Sequence, residues 1–297
     1  MISRIFAAFW LIGLRCALGG IPSNYVGPAW VDKPIAVVVD TSGLSATQAD
    51  SGPGLYTAIL RAASEWNAAI GLKILHVQPI DSPAPSSRDA LGNGISEIYF
   101  STTISPTQSF GTQFGYTSIN RAASGLLLEA DMIFNPGHEW LVYDGPLQYT
   151  PAGDRIAEMH RVSLHEFGHL LGLTHPTDDS YLTIMRSRMN DLYSLAPRDI
   201  EDAKLIKQAI LSFNRPLLRN LSENGRFISS RGTANSFFTK HLWLNISGDS
   251  GIEWKRIRVR EHWRVRIPEP KGSRYASLVY RMQGQLHRQV SARKRLF

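Results

Sequence analysis

The string His165-Glu166-Phe167-Gly168-His169 sets two histidines four residues apart with a glutamate directly after the first. On a helix, residues at that spacing lie one turn apart on one face, so both imidazoles can reach one ion in the open site that catalytic zinc uses. Glu166 is rotated about 100° around the helix axis from His165, which sets its carboxylate beside the metal as a general base rather than as a necessary ligand. His175 can join the same ion only if the helix stops first. Six more helical residues would carry it roughly 9 Å along the axis and onto another face. Gly172 supplies the break, because glycine tolerates the left-handed conformation in which helices end. A bare His-Glu-x-x-His could be a solvated helix face. Glycine and histidine at fixed positions make coincidence rarer by a factor on the order of several hundred.

The full string, residues 165–175, with Met185 in Thr183-Ile184-Met185, resembles the metzincin metallopeptidases, which combine a long histidine motif with a methionine turn. Within that clan the chain is most similar to the matrixins and their secreted bacterial relatives. Val162-Ser163-Leu164 leads into the motif, and Phe114-Gly115-Tyr116-Thr117-Ser118 and Glu129-Ala130-Asp131-Met132-Ile133-Phe134-Asn135 resemble the last two strands before the active-site helix. His175-Pro176 is similar to the serralysin branch, but that branch has a tyrosine two residues after the methionine, where this chain has Ser187.

The resemblance covers residues 30–213 and implies an α+β, zincin-like catalytic domain. Its parts would be a mixed twisted sheet with an antiparallel edge strand, an active-site helix and a C-terminal helix. It implies a zinc endopeptidase in which His165, His169 and His175 hold one catalytic zinc ion and Glu166 activates the attacking water. Met185 would be a hydrophobic floor under the ligands. A protein or peptide substrate would lie extended along the edge strand near Gly115, Tyr116 and Thr117, with residues 186–193 shaping the main specificity pocket. Matrixins commonly hold a structural zinc and calcium as well. Between residues 81 and 139 this chain has only His138, so no structural zinc is expected. Asp89, Asn93 and Asp131 could contribute to an oxygen-rich Ca2+ site or serve as turn and strand-end residues. His76, His138, His160, His241, His262 and His287 lack partners at ligand spacing and are expected to be hydrogen-bonded or surface groups.

Elements must position these groups. Ile35-Ala36-Val37-Val38-Val39 is an almost continuous β-branched run that suits a strand buried on both faces. Leu55, Ala58, Ile59, Ala62, Trp66, Ala69 and Ile70 recur at helical spacing before Gly71. Strands are expected at residues 72–77 and, after a Pro/Ser-rich loop at 82–87, at 95–100; strand, helix and strand imply a crossover and a mixed sheet. The active-site helix is expected from an N-cap at Asp154 to Leu171, burying Ile156, Met159, Ser163, Phe167 and Leu170. A last helix is expected over 197–213, with Pro197 at its first position and Asp199, Glu201 and Asp202 complementing its dipole.

The chain has 297 residues and a net charge of +7, enough for one sizeable domain and something smaller. The expected division is a signal peptide over 1–19, a catalytic domain over 20–214 and a small basic, β-containing region over 215–297. Residues 1–4 are short and basic, 5–14 are apolar, and Ala17-Leu18-Gly19 offers small residues for cleavage. An apolar run of that length cannot span a bilayer, so it reads as a secretory leader and no transmembrane span is expected. Arg15 fits a leader poorly, and a buried N-terminal segment is the other reading. Cys16, the one cysteine, would leave with the leader; a lipid-modified cysteine and an inhibitory cysteine of matrixin type are the sharper readings.

From residue 215 onward, 18 Lys and Arg stand against 5 Asp and Glu, which leaves −6 for the first 214 residues. Ile257, Val259, Trp263, Val265 and Ile267 alternate with Arg256, Arg258, Arg260, Arg264 and Arg266, giving one strand or hairpin an apolar and a cationic face. That face could bind anionic surfaces or polysaccharide, or be a solvated strand face; no nucleic-acid-binding motif accompanies it. A monomeric, secreted endopeptidase is the leading expectation. The rival is a catalytically idle scaffold that binds surfaces through its basic region.

Overall fold

A computed structural model of the chain describes residues 33–41, 43–44, 52–79, 92–105, 107–123, 126–177, 181–223, 227–248, 251–268, 273–283, 289–291 and 294–295. The leader, Cys16, the loop at 82–87, Asp89 and His287 lie outside them.

Strand β1 (Ile35–Val39) leads into helix α1 (Gly52–Ile70), which Gly71 ends at φ 70°. Burial along β1 alternates, with Ile35, Val37 and Val39 inside and Ala36 exposed, so only one face is covered, not both as its composition suggests. Strand β2 (Leu75–Pro79) starts three residues later than expected. Asn67 of α1 causes the delay: its Oδ1 accepts from the Ile74 and Leu75 amides and its Nδ2 donates to the Leu75 carbonyl, all within 3.0 Å. Strands β3 (Ser96–Phe100), β4 (Thr103–Ser105), β5 (Gln108–Ser109), β6 (Gly115–Arg121) and β7 (Leu127–Phe134) follow. The main sheet has the order β2-β1-β3-β7-β6, parallel except for β6, which runs antiparallel to β7 at the edge.

Two short strands, β8 (Trp140–Leu141) and β9 (Ala157–Glu158), pair just before helix α2 (Met159–Leu170). The helix therefore begins at Met159, not near Asp154. Residues 156 and 157 spend their amides on the Gln148 and Glu139 carbonyls, and Glu158 is the cap, its carboxylate accepting from the His160 and Arg161 amides. The expected stripe Ile156, Met159, Ser163, Phe167 and Leu170 is buried, and so are Val162 and Leu164. Trp66 of α1 is fully buried and donates Nε1–H to the Leu164 carbonyl at 2.9 Å, fixing α2 against α1. Packing of one such aromatic contributes several kcal/mol, on the order of 3–5 by truncation.

Helix α3 (Pro197–Phe213) has the expected bounds. Beyond it the described residues form strands: β10 (Leu217–Glu223), β11 (Phe227–Thr233), β12 (Thr239–Gly248), β13 (Gly251–Ile257), β14 (His262–Pro268), β15 (Ser273–Met282), β16 (Gln289–Val290) and β17 (Lys294–Arg295). They make an antiparallel sheet β10-β11-β14 and a second one of order β13-β12-β15-β16, with β17 also on β15. The arginine stripe is thereby corrected. Residues 258–261 break it, and Arg256 on β13 and Arg264 and Arg266 on β14 belong to different sheets. Alternation survives locally: Trp263 and Ile267 are buried while Arg264 and Arg266 are exposed. No described helix is long and apolar enough to cross a membrane.

Candidate metal centre

Helix α2 carries His165 and His169 one turn apart, and then the chain reverses in a short hydrogen-bonded cap. The Leu173 amide reaches the Gly168 carbonyl and the Gly172 amide the His169 carbonyl, each at 2.9 Å, with Gly172 at φ 94°. This is the paired-bond helix ending in which glycine takes the left-handed position. It swings His175 back to the helix face.

The three Nε2 atoms converge: 3.0 Å from His165 to His169, 3.0 Å from His165 to His175 and 3.2 Å from His169 to His175. Two of the rings have their tautomer fixed from behind. His165 Nδ1 faces the Ile184 carbonyl at 2.8 Å and His169 Nδ1 the Leu173 carbonyl at 2.9 Å. A carbonyl only accepts, so both Nδ1 atoms carry the proton and both Nε2 atoms present lone pairs to the centre. Lone pairs pointed together at this distance repel unless a cation lies between them. Nitrogens arranged tetrahedrally around zinc at about 2.0–2.1 Å would stand roughly 3.3 Å apart, close to the spacing seen. The three-histidine group thus fits a zinc site, and among the described residues no other group of three or more His, Cys, Asp or Glu could hold a metal.

Electrostatics favour the neutral rings of His165 and His175 that metal binding needs. Burial lowers His165 to about 3, helped by the neighbouring His169 and His175 and opposed by the bond to Ile184. Burial and His169 also lower His175. Glu166 is 4% exposed, and its burial raises its pKa against the opposing pull of His169 and of the Thr117 hydroxyl.

Strand β6 forms the opposite wall. Thr117 Oγ1 donates to Glu166 Oε2 at 2.5 Å. Gly115 lies so close that a Cβ there would stand 2.9 Å from Glu166 Oε1 and 3.1 Å from Phe134 Cδ1, so only glycine leaves the carboxylate its place. Gly115, Tyr116 and Thr117 line the cleft together with the three histidines, Glu166 and residues 186–190.

Met185 is fully buried beneath the centre against Gly168, and an Asp199 network holds the turn around it. Asp199, itself fully buried, accepts from Thr183 Oγ1 at 2.5 Å and from the Ile184 and Ala196 amides at 3.0 and 2.8 Å, while the Met185 amide donates to Thr183 Oγ1. One carboxylate thus caps α3 and fixes the methionine turn. Sequence reasoning credited Asp199 only with the helix dipole. Thr117, named from the sequence only as part of the strand along which substrate would lie, also bonds Glu166, 49 residues away.

Asn93 and Asp131, named for calcium, lie near one another through Glu97. Asn93 Nδ2 donates to Glu97 Oε2 and the Glu97 amide donates to Asp131 Oδ1, both at 3.1 Å. Glu129 Oε2 accepts from the Gly92 and Gly94 amides. Burial raises Asp131 to about 7 against the bond from the Glu97 amide, and the Glu129 and Glu97 carboxylates add to the rise. His138 packs on the Phe114 ring at 4.4 Å, and His160 lies 3.3 Å from Glu65.

Residues 109–207 match the family model described as matrixin, which supports a matrixin-like metallopeptidase domain over that span. No curated protein matches the chain. Similar solved structures include wild-type OgpA from Akkermansia muciniphila, at 12% identity and TM-score 0.28, over 93% of this chain and 96% of that one. Catalytically inactive OgpA from the same organism, in complex with an O-glycopeptide (glycodrosocin) substrate, matches at 11% identity and TM-score 0.26, over 93% and 95%. A bromine derivative of BhCBM56 matches 27% of this chain and 87% of its own at 12% identity and TM-score 0.20. Likenesses at these scores carry no argument about this chain.

Proposed function

We propose that this protein is a secreted zinc-dependent metalloendopeptidase. The observation that supports it most is the convergence of three Nε2 atoms within 3.2 Å beside the buried carboxylate of Glu166, at the foot of an open cleft. The matrixin match and the leader-like residues 1–19 support the same reading.

His165, His169 and His175 would hold one zinc ion through Nε2. When bound, zinc polarises a carbonyl and lowers the pKa of water to about 7. Every other task falls to side chains of this chain. The His165 and His169 Nδ1–H bonds to backbone carbonyls hold the rings correctly turned, with Nε2 toward the centre. Thr117 holds Glu166 Oε2, which leaves Oε1 to take a proton from the attacking water and pass it to the departing amine nitrogen. The outer edge of β6, unpaired among the described strands, can bind an extended peptide through backbone hydrogen bonds, aligning it over Glu166.

Purified protein is expected to contain about one zinc per chain, the open catalytic kind. It should cleave an unstructured protein until zinc is chelated. Glu166→Gln keeps the shape of the side chain and removes the base, so it should retain zinc and lose cleavage by at least about 10²-fold. Cleavage at the wild-type rate by Glu166→Gln would refute the role given to the carboxylate.

A further inference from the structure

Among the described residues, the cleft is lined by five arginines, Arg121, Arg155, Arg161, Arg186 and Arg188, and by a single carboxylate, Glu166. Average composition does not explain this, since the first 214 residues carry a net charge of −6. Cations are gathered in the cleft while the surrounding region is acidic. Arg155 and Arg188 are exposed and form no ion pair among the described residues. Arg161 is 1% exposed and lies one helical turn before His165. Its guanidinium donates to the Leu192 carbonyl at 2.6 Å, the Gly145 carbonyl at 2.5 Å and the Tyr143 hydroxyl at 3.4 Å, and lies over the Tyr143 ring. All these partners are neutral, so they orient the charge without cancelling it.

A cleft walled by one sign of charge focuses the field and concentrates ligands of the opposite sign. The guanidinium fork matches a carboxylate in two parallel hydrogen bonds. Backbone pairing along β6 would be indifferent to sequence, so choice between peptides falls to the side-chain walls. One of those walls is residues 186–190, directly after Met185.

We propose that the cleft selects acidic peptides, an Asp or Glu side chain next to the scissile bond being held by Arg188 and Arg155 within the field of Arg161. This rests on the peptidase reading above.

The test uses the zinc-loaded full chain and pairs of fluorogenic peptides that differ only by Glu or Gln, scanned through each position around the bond. The Glu peptide should be cleaved with about 10-fold higher kcat/KM at one position or more, the usual effect of a hydrogen bond between charged groups. That advantage should shrink several-fold between ~0.05 and ~1 M salt. Arg188→Gln and Arg155→Gln should each lower the Glu/Gln ratio, a quantity internal to each variant that loss of active protein cannot imitate. In parallel, fluorescence anisotropy with Glu166→Gln and the same labelled peptides reads binding without turnover. Equal or better cleavage of the Gln peptide at every position overturns the selectivity and leaves the peptidase reading standing. If zinc is bound and neither peptide is cut, the peptidase reading fails, and anisotropy decides the rest. Tighter binding of the Glu peptide supports the acidic cleft, and equal binding overturns it.

Discussion

Gly168 is where the metal-bearing helix rests on the methionine turn. A Cβ built there meets Met185 Sδ well inside contact distance, Met185 Cε at 3.0 Å and Trp66 Cζ2 at 3.4 Å. Carbon atoms pack best at about 3.5–4.0 Å, and Met185 and Trp66 are both fully buried, so neither can swing into solvent. Gly168→Ala should gain about 1 kcal/mol of helix propensity and lose about 2–3 kcal/mol to overpacking, the upper half of the usual range because sulfur itself must move. The net loss is about 1–2 kcal/mol, a fall in Tm of roughly 2–8 °C for a chain of this size. Thermal unfolding should be followed in chelator, so that zinc does not mask the change, and zinc affinity by competition with a chromophoric chelator. Affinity should fall as well, because the displaced sulfur pushes on the helical turn that carries His165 and His169. Met185→Ala alone opens a cavity and should cost about 2–5 kcal/mol. In the double variant the new Cβ occupies part of that cavity, so the two losses should not add, and the coupling should reach about 1–3 kcal/mol. A Gly168→Ala variant as stable as wild type, or strict additivity with Met185→Ala, would mean that Met185 is not the reason for glycine at this position.

Thr117 acts through Glu166, so Thr117→Val should lower kcat about 10-fold while zinc content stays at wild-type level, and Thr117→Ser should restore most of it; equal rates in all three proteins would remove Thr117 from the site. Asp131 has a folded-state pKa of about 7 against an ordinary 3.8, so protonation favours the folded form. Its contribution is complete below pH ~4 and is lost as pH rises through ~7, on the order of a few kcal/mol. In chelator, Asp131→Asn, which keeps the acceptor for the Glu97 amide, should therefore gain stability over wild type as pH rises from 5 to 8, read as the difference in Tm. Parallel Tm curves for the two proteins would show that Asp131 does not carry this dependence.

Features that depend on neighbours in sequence were legible from it. Helix α3 begins at Pro197 and ends at Phe213 as its proline, acidic first turn and periodicity predict. The geometry that joins His165 and His169 is set by helical pitch, and Gly172 adopts the positive φ that turning back to His175 demands. Where distant groups compete for a backbone, local signals fail. Asp154 looks like a cap, yet pairing with Glu139 and Gln148 holds residues 156 and 157 extended until Glu158. The arginine stripe reads as one strand or hairpin, but residues 258–261 separate strands that join different sheets, because β13 pairs back on the adjacent β12 while β14 pairs with the more distant β11.

The sequence by itself determined which three histidines and which glutamate could come together and the turn between them, since pitch and glycine act over ten residues. Only the tertiary structure decided what surrounds them. Thr117 on Glu166, Asp199 under the methionine turn and the arginines around the cleft come from separate elements. Their meeting is set by how sheet, helices and loops pack, which no spacing along the chain encodes.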